Sequence, residues 1–183
     1  MRYPLFLDLT GQKVVAIGAG KVATRKVRSL LAAGALVTVI SPQAYRLPKG
    51  VRWLRRCYRR GDLAGAWLVV AATNDQDVNR QVCAEAKRSR QLVNCGAQPA
   101  AGNFIVPSIV RRGQLTIAIS TGGASPALAK HIRRLLEELV GDGYAEAAKR
   151  LRAIRKRALR NVHSAQERRE VYRRALKEML KTN

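Results

Sequence analysis

The sequence predicts an α/β protein built on a parallel sheet with helices on both faces, followed by a helical C-terminal part. Three observations carry this. Short apolar, β-branched runs alternate with helical patterns through the first half of the chain. A strand, a glycine turn, a helix and a second strand fit within about 30 residues, the size of a βαβ unit. From Ser125 onward the patterning is almost wholly helical.

The elements follow in order. Lys13–Ile17 is a short apolar run ending in Gly18-Ala19-Gly20. Val22, Ala23, Val27, Leu30 and Leu31 recur at near-helical spacing over Lys21–Ala33, and Gly34 stops that helix. Leu36–Ile40 is a second buried strand, closed by Ser41-Pro42. Val51–Leu54 and Trp67–Ala72 read as the third and fourth strands, Asp77–Ser89 as a helix, and Gln91–Cys95 as the fifth strand. After Pro99 two extended runs, Phe104–Val110 and Leu115–Ile119, flank Arg111-Arg112-Gly113-Gln114, which predicts an antiparallel pair with a tight connection. Helices are expected over Pro126–Val140, Tyr144–Val162 and Ser164–Leu180, the last opening on a Ser164…Glu167 capping-box spacing.

Composition narrows the function. With 183 residues, 47% of them apolar, the chain can bury a core of ordinary domain size and is not a disordered polymer. The longest apolar run, Ala64–Thr73, is far shorter than the roughly 20 residues of a membrane helix. No signal-peptide pattern opens the sequence, and Cys57, Cys83 and Cys95 have neither CxxC nor metal-ligand spacing. We therefore expect a cytoplasmic protein with reduced thiols, no membrane partner and no metal. The net charge is +23, and only five of the 12 acids lie in residues 1–126: Asp8, Asp62, Asp75, Asp77 and Glu85. Such a field concentrates anions near the surface. Nucleic acid is not expected as the partner: no recognition motif accompanies the charge, and aromatics are only 5%. A small polyanionic substrate accounts for the field equally well.

Two glycine-rich elements carry the chemistry. Gly18-Ala19-Gly20-Lys21-Val22-Ala23 fits the dinucleotide fingerprint G-x-G-x-x-G/A between a strand and a helix, which makes the domain Rossmann-type. Gly18 serves the tight turn, Gly20 lets pyrophosphate approach the backbone, and Ala23 packs closely on the sheet. The amides that open the helix, at Lys21 and Val22, face the phosphates. The acid that usually holds the ribose is missing at the end of the second strand, where Ser41, Pro42 and Gln43 stand instead. Ribose contacts then come from Ser41, Gln43 or backbone, and the lack of an arginine there favours NAD over NADP. The second element, Ser120-Thr121-Gly122-Gly123-Ala124-Ser125-Pro126, joins a strand to a helix. It is either a turn with a good N-cap at Ser125 or a loop of hydroxyls and amides that binds an anion.

Together these motifs resemble a family. Tyr3-Pro4-Leu5-Phe6-Leu7-Asp8-Leu9, the GAGKVATRKV loop and helix, Ala71-Ala72-Thr73-Asn74-Asp75, Asn103-Phe104-Ile105-Val106-Pro107 and IAISTGGASPALA, in this order, resemble the precorrin-2 dehydrogenases, which include the N-terminal modules of siroheme synthases. The resemblance covers about Tyr3 to Leu135. It implies an NAD-binding domain (1–112), a dimerisation region (113–140) and a helical C-terminal domain (141–183). It implies a homodimer that oxidises precorrin-2 to sirohydrochlorin with NAD, in siroheme biosynthesis. Some members also insert ferrous iron. Thr73 and Asn74 are implied as cofactor contacts, Thr121 as catalytic, and Ser120, Gly122 and Gly123 with it as substrate-binding. An eight-carboxylate substrate suits the basic surface, with Arg25, Arg28, Arg111 and Arg112 as candidate contacts.

One position departs from the pattern. In the family the segment after the fifth strand runs Asn-x-x-Asp-x-Pro, and its aspartate is tied to catalysis. Here it is Asn94-Cys95-Gly96-Ala97-Gln98-Pro99, so Ala97 stands at the aspartate position. A methyl group accepts no proton. Either activity is impaired and the chain is a non-catalytic tetrapyrrole- or NAD-binding relative, or another group takes over, or orienting the substrate against the nicotinamide suffices. Asp75 and Asp77 read as a helix cap and a solvated first-turn charge. His131 reads as a structural helix histidine or a substrate contact.

Overall fold

The computed structural model describes residues 2–96 and 98–181. Ala97 lies outside the described residues. The chain divides into two compact units, the first ending at Val106 and the second beginning at Pro107. The strand at Ser108–Arg112 pairs with its successor and not with the parallel sheet.

The first unit runs β1 (Lys13–Ile17), α1 (Lys21–Ala32), β2 (Leu36–Ile40), β3 (Arg52–Leu54), β4 (Leu68–Ala71), α2 (Gln76–Arg88) and β5 (Leu92–Cys95). The strands form one sheet in the order β3-β2-β1-β4-β5, every pair parallel. Alternate residues serve opposite cores. Val15, Ile17, Val69, Ala71 and Val93 pack with Val82, Cys83 and Ala86 of α2. Val14, Ala16, Val37, Val39 and Val70 pack with Val27, Leu30 and Leu31 of α1. Both faces are buried, which is why these strands read as unbroken apolar runs. From β1 the chain steps to β2, and β4 lies on the other side, so the two βα units diverge. Their right-handed crossovers put α1 and α2 on opposite faces and open a crevice at the C-terminal ends of β1 and β4.

Local polar contacts set the ends of these elements. Asp75 caps α2, its Oδ1 accepting from the amides of Asp77 at 2.8 Å and Val78 at 3.1 Å, while Asp77 pairs with Arg80. Both acids thus have the structural roles read from the sequence. Asp75→Ala should cost about 1 kcal/mol, lowering a thermal midpoint by roughly 4–8 °C for a domain of this size. An unchanged melting curve would remove the capping role. Asn103 closes the edge of β5: its Oδ1 accepts from Val93 N at 2.8 Å, its Nδ2 donates to Gln91 O at 2.8 Å, and its own amide donates to Val93 O at 3.0 Å. A side chain here satisfies groups that a sixth strand would otherwise pair.

The second unit holds β6 (Ser108–Arg112), β7 (Leu115–Ile119), α3 (Pro126–Leu139), α4 (Gly143–Asn161) and α5 (Ala165–Lys181). The antiparallel β6–β7 pair is present, but two boundaries differ from expectation. Phe104 packs into the core beside α1, and the strand starts only after Pro107, which has no amide to donate. Arg111 and Arg112 continue β6, opposite Thr116 and Leu115, leaving Gly113-Gln114 as the turn. Gly113, with φ of 56°, supplies the positive φ that a two-residue hairpin turn needs at its first central position. Arg112, expected among the substrate contacts, is engaged internally: its Nη2 donates to Glu137 O at the end of α3 (2.9 Å) and its Nε lies 3.5 Å from Asp142 Oδ1. No helix among the described residues is long and apolar enough to cross a membrane.

Candidate functional site

The crevice holds a cleft of about 510 Å³. Its floor is the β1–α1 turn, one wall is the segment after β2 (Ser41–Tyr45), and the opposite wall is the Ala72–Asp75 segment after β4. Gly18 is the hinge of the turn. Its φ is +96°, a Cβ there would sit 2.5 Å from the carbonyl oxygen of Ala72, and its amide donates to Ile40 O at 2.9 Å. No other residue type fits. Gly20 is the contrasting case: a Cβ there would meet nothing within 4 Å. The missing side chain leaves open space above the start of α1. Gly20 is the N-cap, with no side-chain cap hydrogen bond and no acid in the first helical turn. The helix therefore begins as uncapped amides with a partial positive charge, facing an open, uncrowded floor. That is the donor set a pyrophosphate needs, and the residues present fit a dinucleotide. Ala23 is fully buried against the sheet, as the fingerprint requires.

The β2 wall is folded back onto the turn. Tyr45 N donates to Ala19 O at 2.8 Å, and the Thr24 hydroxyl donates to Tyr45 O at 2.8 Å. Lys21 Nζ stands over the Tyr45 ring at 5.6 Å. Ser41 is buried, and its hydroxyl donates to Gln43 O at 2.6 Å, so its hydrogen serves the turn. Pro42 and the Gln43 side chain are exposed in the cleft wall. On the β4 side, Thr73 is clasped by Asn79 of α2: Asn79 Oδ1 accepts from Thr73 N and Nδ2 donates to Thr73 O, both at 3.0 Å. Asn79 is 1% exposed. It holds the Thr73-Asn74 turn in place, and sequence reading missed it. Its only signal was a polar residue at a position where the α2 periodicity calls for an apolar one. Tyr58 also lines the cleft, and its hydroxyl donates to Glu85 Oε2 at 2.5 Å. Burial first, then the adjacent Glu85 carboxylate, push its pKa above the ordinary tyrosine value. It stays a neutral clamp between α2 and the β3–β4 connection.

The second glycine-rich element lies in the other unit, between β7 and α3. Thr121 Oγ1 accepts from Ser125 N and lies 3.1 Å from Ser125 O. Ser125 Oγ caps α3 by accepting from Leu128 N at 3.1 Å. Ser120 Oγ accepts from Gly122 N at 3.1 Å. Gly122 and Gly123 have φ of +68° and +97° and open space where a Cβ would stand. The loop is thus a capped turn whose hydroxyls bond to its own backbone. His131 is exposed on α3. Among the described residues no three His, Cys, Asp or Glu side chains gather as a metal site.

Comparison with known proteins agrees with this geometry. Residues 5–108 match the family described as putative NAD(P)-binding, and residues 112–139 match the central region of sirohaem biosynthesis proteins. A solved structure titled SirC, precorrin-2 dehydrogenase, superimposes with a TM-score of 0.82 at 30% identity, over 99% of this chain and 98% of that one. The chain belongs to the precorrin-2 dehydrogenase and siroheme synthase N-terminal module family. Its curated relatives include siroheme synthases of Methylobacillus flagellatus, 38% identical over 91% of this chain, and of Pseudomonas fluorescens SBW25, 40% identical over 79%. The alignments span only 37% and 32% of those two proteins. The family match supports a nicotinamide cofactor, and the glycine-rich turn Gly18-Ala19-Gly20 lines the cleft of the first unit. Of the sequence-predicted residues, Gly18, Gly20, Ser41, Pro42, Gln43, Thr73 and Asn74 all line that one cleft. Lys21 and Val22 open the helix at its floor.

Proposed function

We propose that this chain oxidises precorrin-2 to sirohydrochlorin with NAD as the hydride acceptor. The observation that carries the reading is the pairing of Gly18, where no side chain fits, with Gly20, where open space faces uncapped helix amides, in a chain that superimposes end to end on a precorrin-2 dehydrogenase. NAD bound in the cleft supplies the electron-pair acceptor. Gly20 and the amides of Lys21 and Val22 hold its pyrophosphate. Gln43 reaches the ribose, and Thr73 and Asn74, braced by Asn79, shape the opposite wall. Among the residues lining the wall after β2, Ser41–Tyr45, there is no Arg or Lys, and Arg46 stacks on Tyr45 at 6.0 Å. A lining without a guanidinium supports NAD over NADP. In the second unit we carry forward Thr121 as the catalytic hydroxyl and Ser120, Gly122 and Gly123 as substrate-binding. The methyl group of Ala97 cannot take the proton released with the hydride, so that proton leaves to solvent or to another group. A cytoplasmic setting with reduced thiols is part of this proposal.

The test is direct. Mixed with NAD and precorrin-2, the protein should form NADH and sirohydrochlorin in equal amounts. Absence of both turnover and tetrapyrrole binding would overturn the reading. Ala97 favours one second reading, a tetrapyrrole-binding relative without turnover, and binding without NADH formation would select it.

The proposal includes a homodimer through the second unit. The apolar stripe of α3 buries only Ala129, and leaves Leu128, Leu135 and Leu139 at 49%, 51% and 71% exposure. Such a stripe belongs against another surface. Light scattering should give twice the 20.2 kDa chain mass, and Leu135→Asp should halve it. A monomer mass for the unaltered protein would rule the dimer out.

A further inference from the structure

Lys26 is placed unusually for a lysine. It sits in the second turn of α1, half-buried, and its ammonium donates to Asn94 Oδ1. Asn94 is 5% exposed on β5 and passes the contact on, its Nδ2 donating to Phe104 O at 3.1 Å. The carbonyl that Lys26 uses is therefore fixed. One of the three ammonium protons is accounted for in this way. Among the described residues no carboxylate forms an ion pair with Lys26. Partial burial lowers its pKa from the ordinary lysine value, and neighbouring Arg25 lowers it further. A half-buried cation held by a neutral amide is a costly arrangement unless an anion completes it.

The surroundings show where that anion would come from. Gly96, directly after β5, is exposed, and its amide donates to Ala71 O at 2.8 Å. A Cβ on Gly96 would stand 3.5 Å from Lys26 Nζ and 3.6 Å from the side chain of Ala72, itself a lining residue of the dinucleotide cleft. With glycine at position 96, no side chain there stands between the ammonium and the space beside Ala72. In a dinucleotide fold the pyrophosphate lies at the α1 N-terminus, so an anion meeting Lys26 here belongs to a second ligand.

We propose that Lys26, held by Asn94 and left uncovered by Gly96, is an anion-binding anchor for one carboxylate of the tetrapyrrole substrate. This rests on the precorrin-2 reading above and adds to it a specific cation and its place.

The test measures binding, so that it does not depend on turnover. Sirohydrochlorin affinity is titrated on NAD-loaded protein for the unaltered chain, Lys26→Gln and Lys26→Arg. Gln keeps a donor toward Asn94 Oδ1 and removes the charge, whereas Arg keeps the charge. A lost charge-assisted contact is expected to weaken sirohydrochlorin binding by about tenfold to a hundredfold in Lys26→Gln, with Lys26→Arg within about threefold of the unaltered chain and NAD affinity unchanged. Equal sirohydrochlorin affinity in Lys26→Gln and the unaltered chain would overturn the anchor and leave the precorrin-2 reading standing. A loss confined to NAD affinity would also overturn it, placing the ammonium in the cofactor site. Failure of the unaltered chain itself to bind sirohydrochlorin would overturn the precorrin-2 reading and the anchor with it. If Lys26→Gln does not fold, Lys26→Met and Lys26→Arg decide by the same comparison.

Discussion

Ala97→Asp should raise the rate of NADH formation from precorrin-2 by about 10²–10⁴-fold, the usual worth of a positioned general acid or base. NAD affinity should stay the same, because the residues proposed to hold the cofactor are Gly18, Gly20 and the start of α1. The reasoning is chemical. Hydride transfer from the macrocycle releases a proton, and a methyl group cannot receive it. Stopped-flow traces at saturating precorrin-2 decide between two mechanisms. A gain below about tenfold would mean that orientation of the substrate against the nicotinamide carries the reaction, and that the aspartate of other family members does something else. A carboxylate introduced near a polyanionic substrate also opposes binding. The Michaelis constant is therefore expected to rise while kcat rises more.

Gly20→Asp should abolish NAD binding without unfolding the protein. Gly20 has ordinary φ and ψ (−70° and 179°), and a Cβ there meets no atom within 4 Å. Aspartate is also among the best N-cap residues, and α1 has no side-chain cap, so the melting temperature should hold or rise. The same carboxylate would occupy the space meant for pyrophosphate and repel it. Calorimetry should show affinity reduced by a hundredfold or more, roughly 2.8 kcal/mol. Retained binding would remove the cofactor assignment from this turn. The contrast is with Gly18, where a Cβ would sit 2.5 Å from the Ala72 carbonyl oxygen and any substitution attacks the fold itself. Two glycines two residues apart thus separate stability from binding.

Much of the first unit was legible because its signals are local. Lys13–Ile17 and Leu36–Ile40 coincide with the predicted strands, since a strand buried on both faces must be continuously apolar. The glycine turn was legible because φ near +96° at Gly18 admits no other residue. Asp75 and Ser125 could be read as caps because a cap satisfies amides only two or three residues away. The β6 boundary was not legible: Phe104–Val110 is apolar throughout, and only packing decides that Phe104 joins the core beside α1 while the strand waits until Ser108. Arg112 read as a candidate substrate contact because nothing in the sequence places Glu137 O within 2.9 Å of it.

The sequence by itself determined the α/β class, the order of strands and helices, the fingerprint turn and the family, since each depends on neighbours along the chain or on motifs in fixed order. Only the tertiary structure decided which polar side chains serve the fold and which line the cleft. Asn79 bracing Thr73, Asn103 closing β5 and Lys26 meeting Asn94 are contacts between elements. Their partners lie six, ten and 68 positions away. A polar side chain looks the same in sequence whether it is solvated or clasped, and the difference arises only when folding brings a distant carbonyl or amide within reach and removes the water that would otherwise have satisfied it.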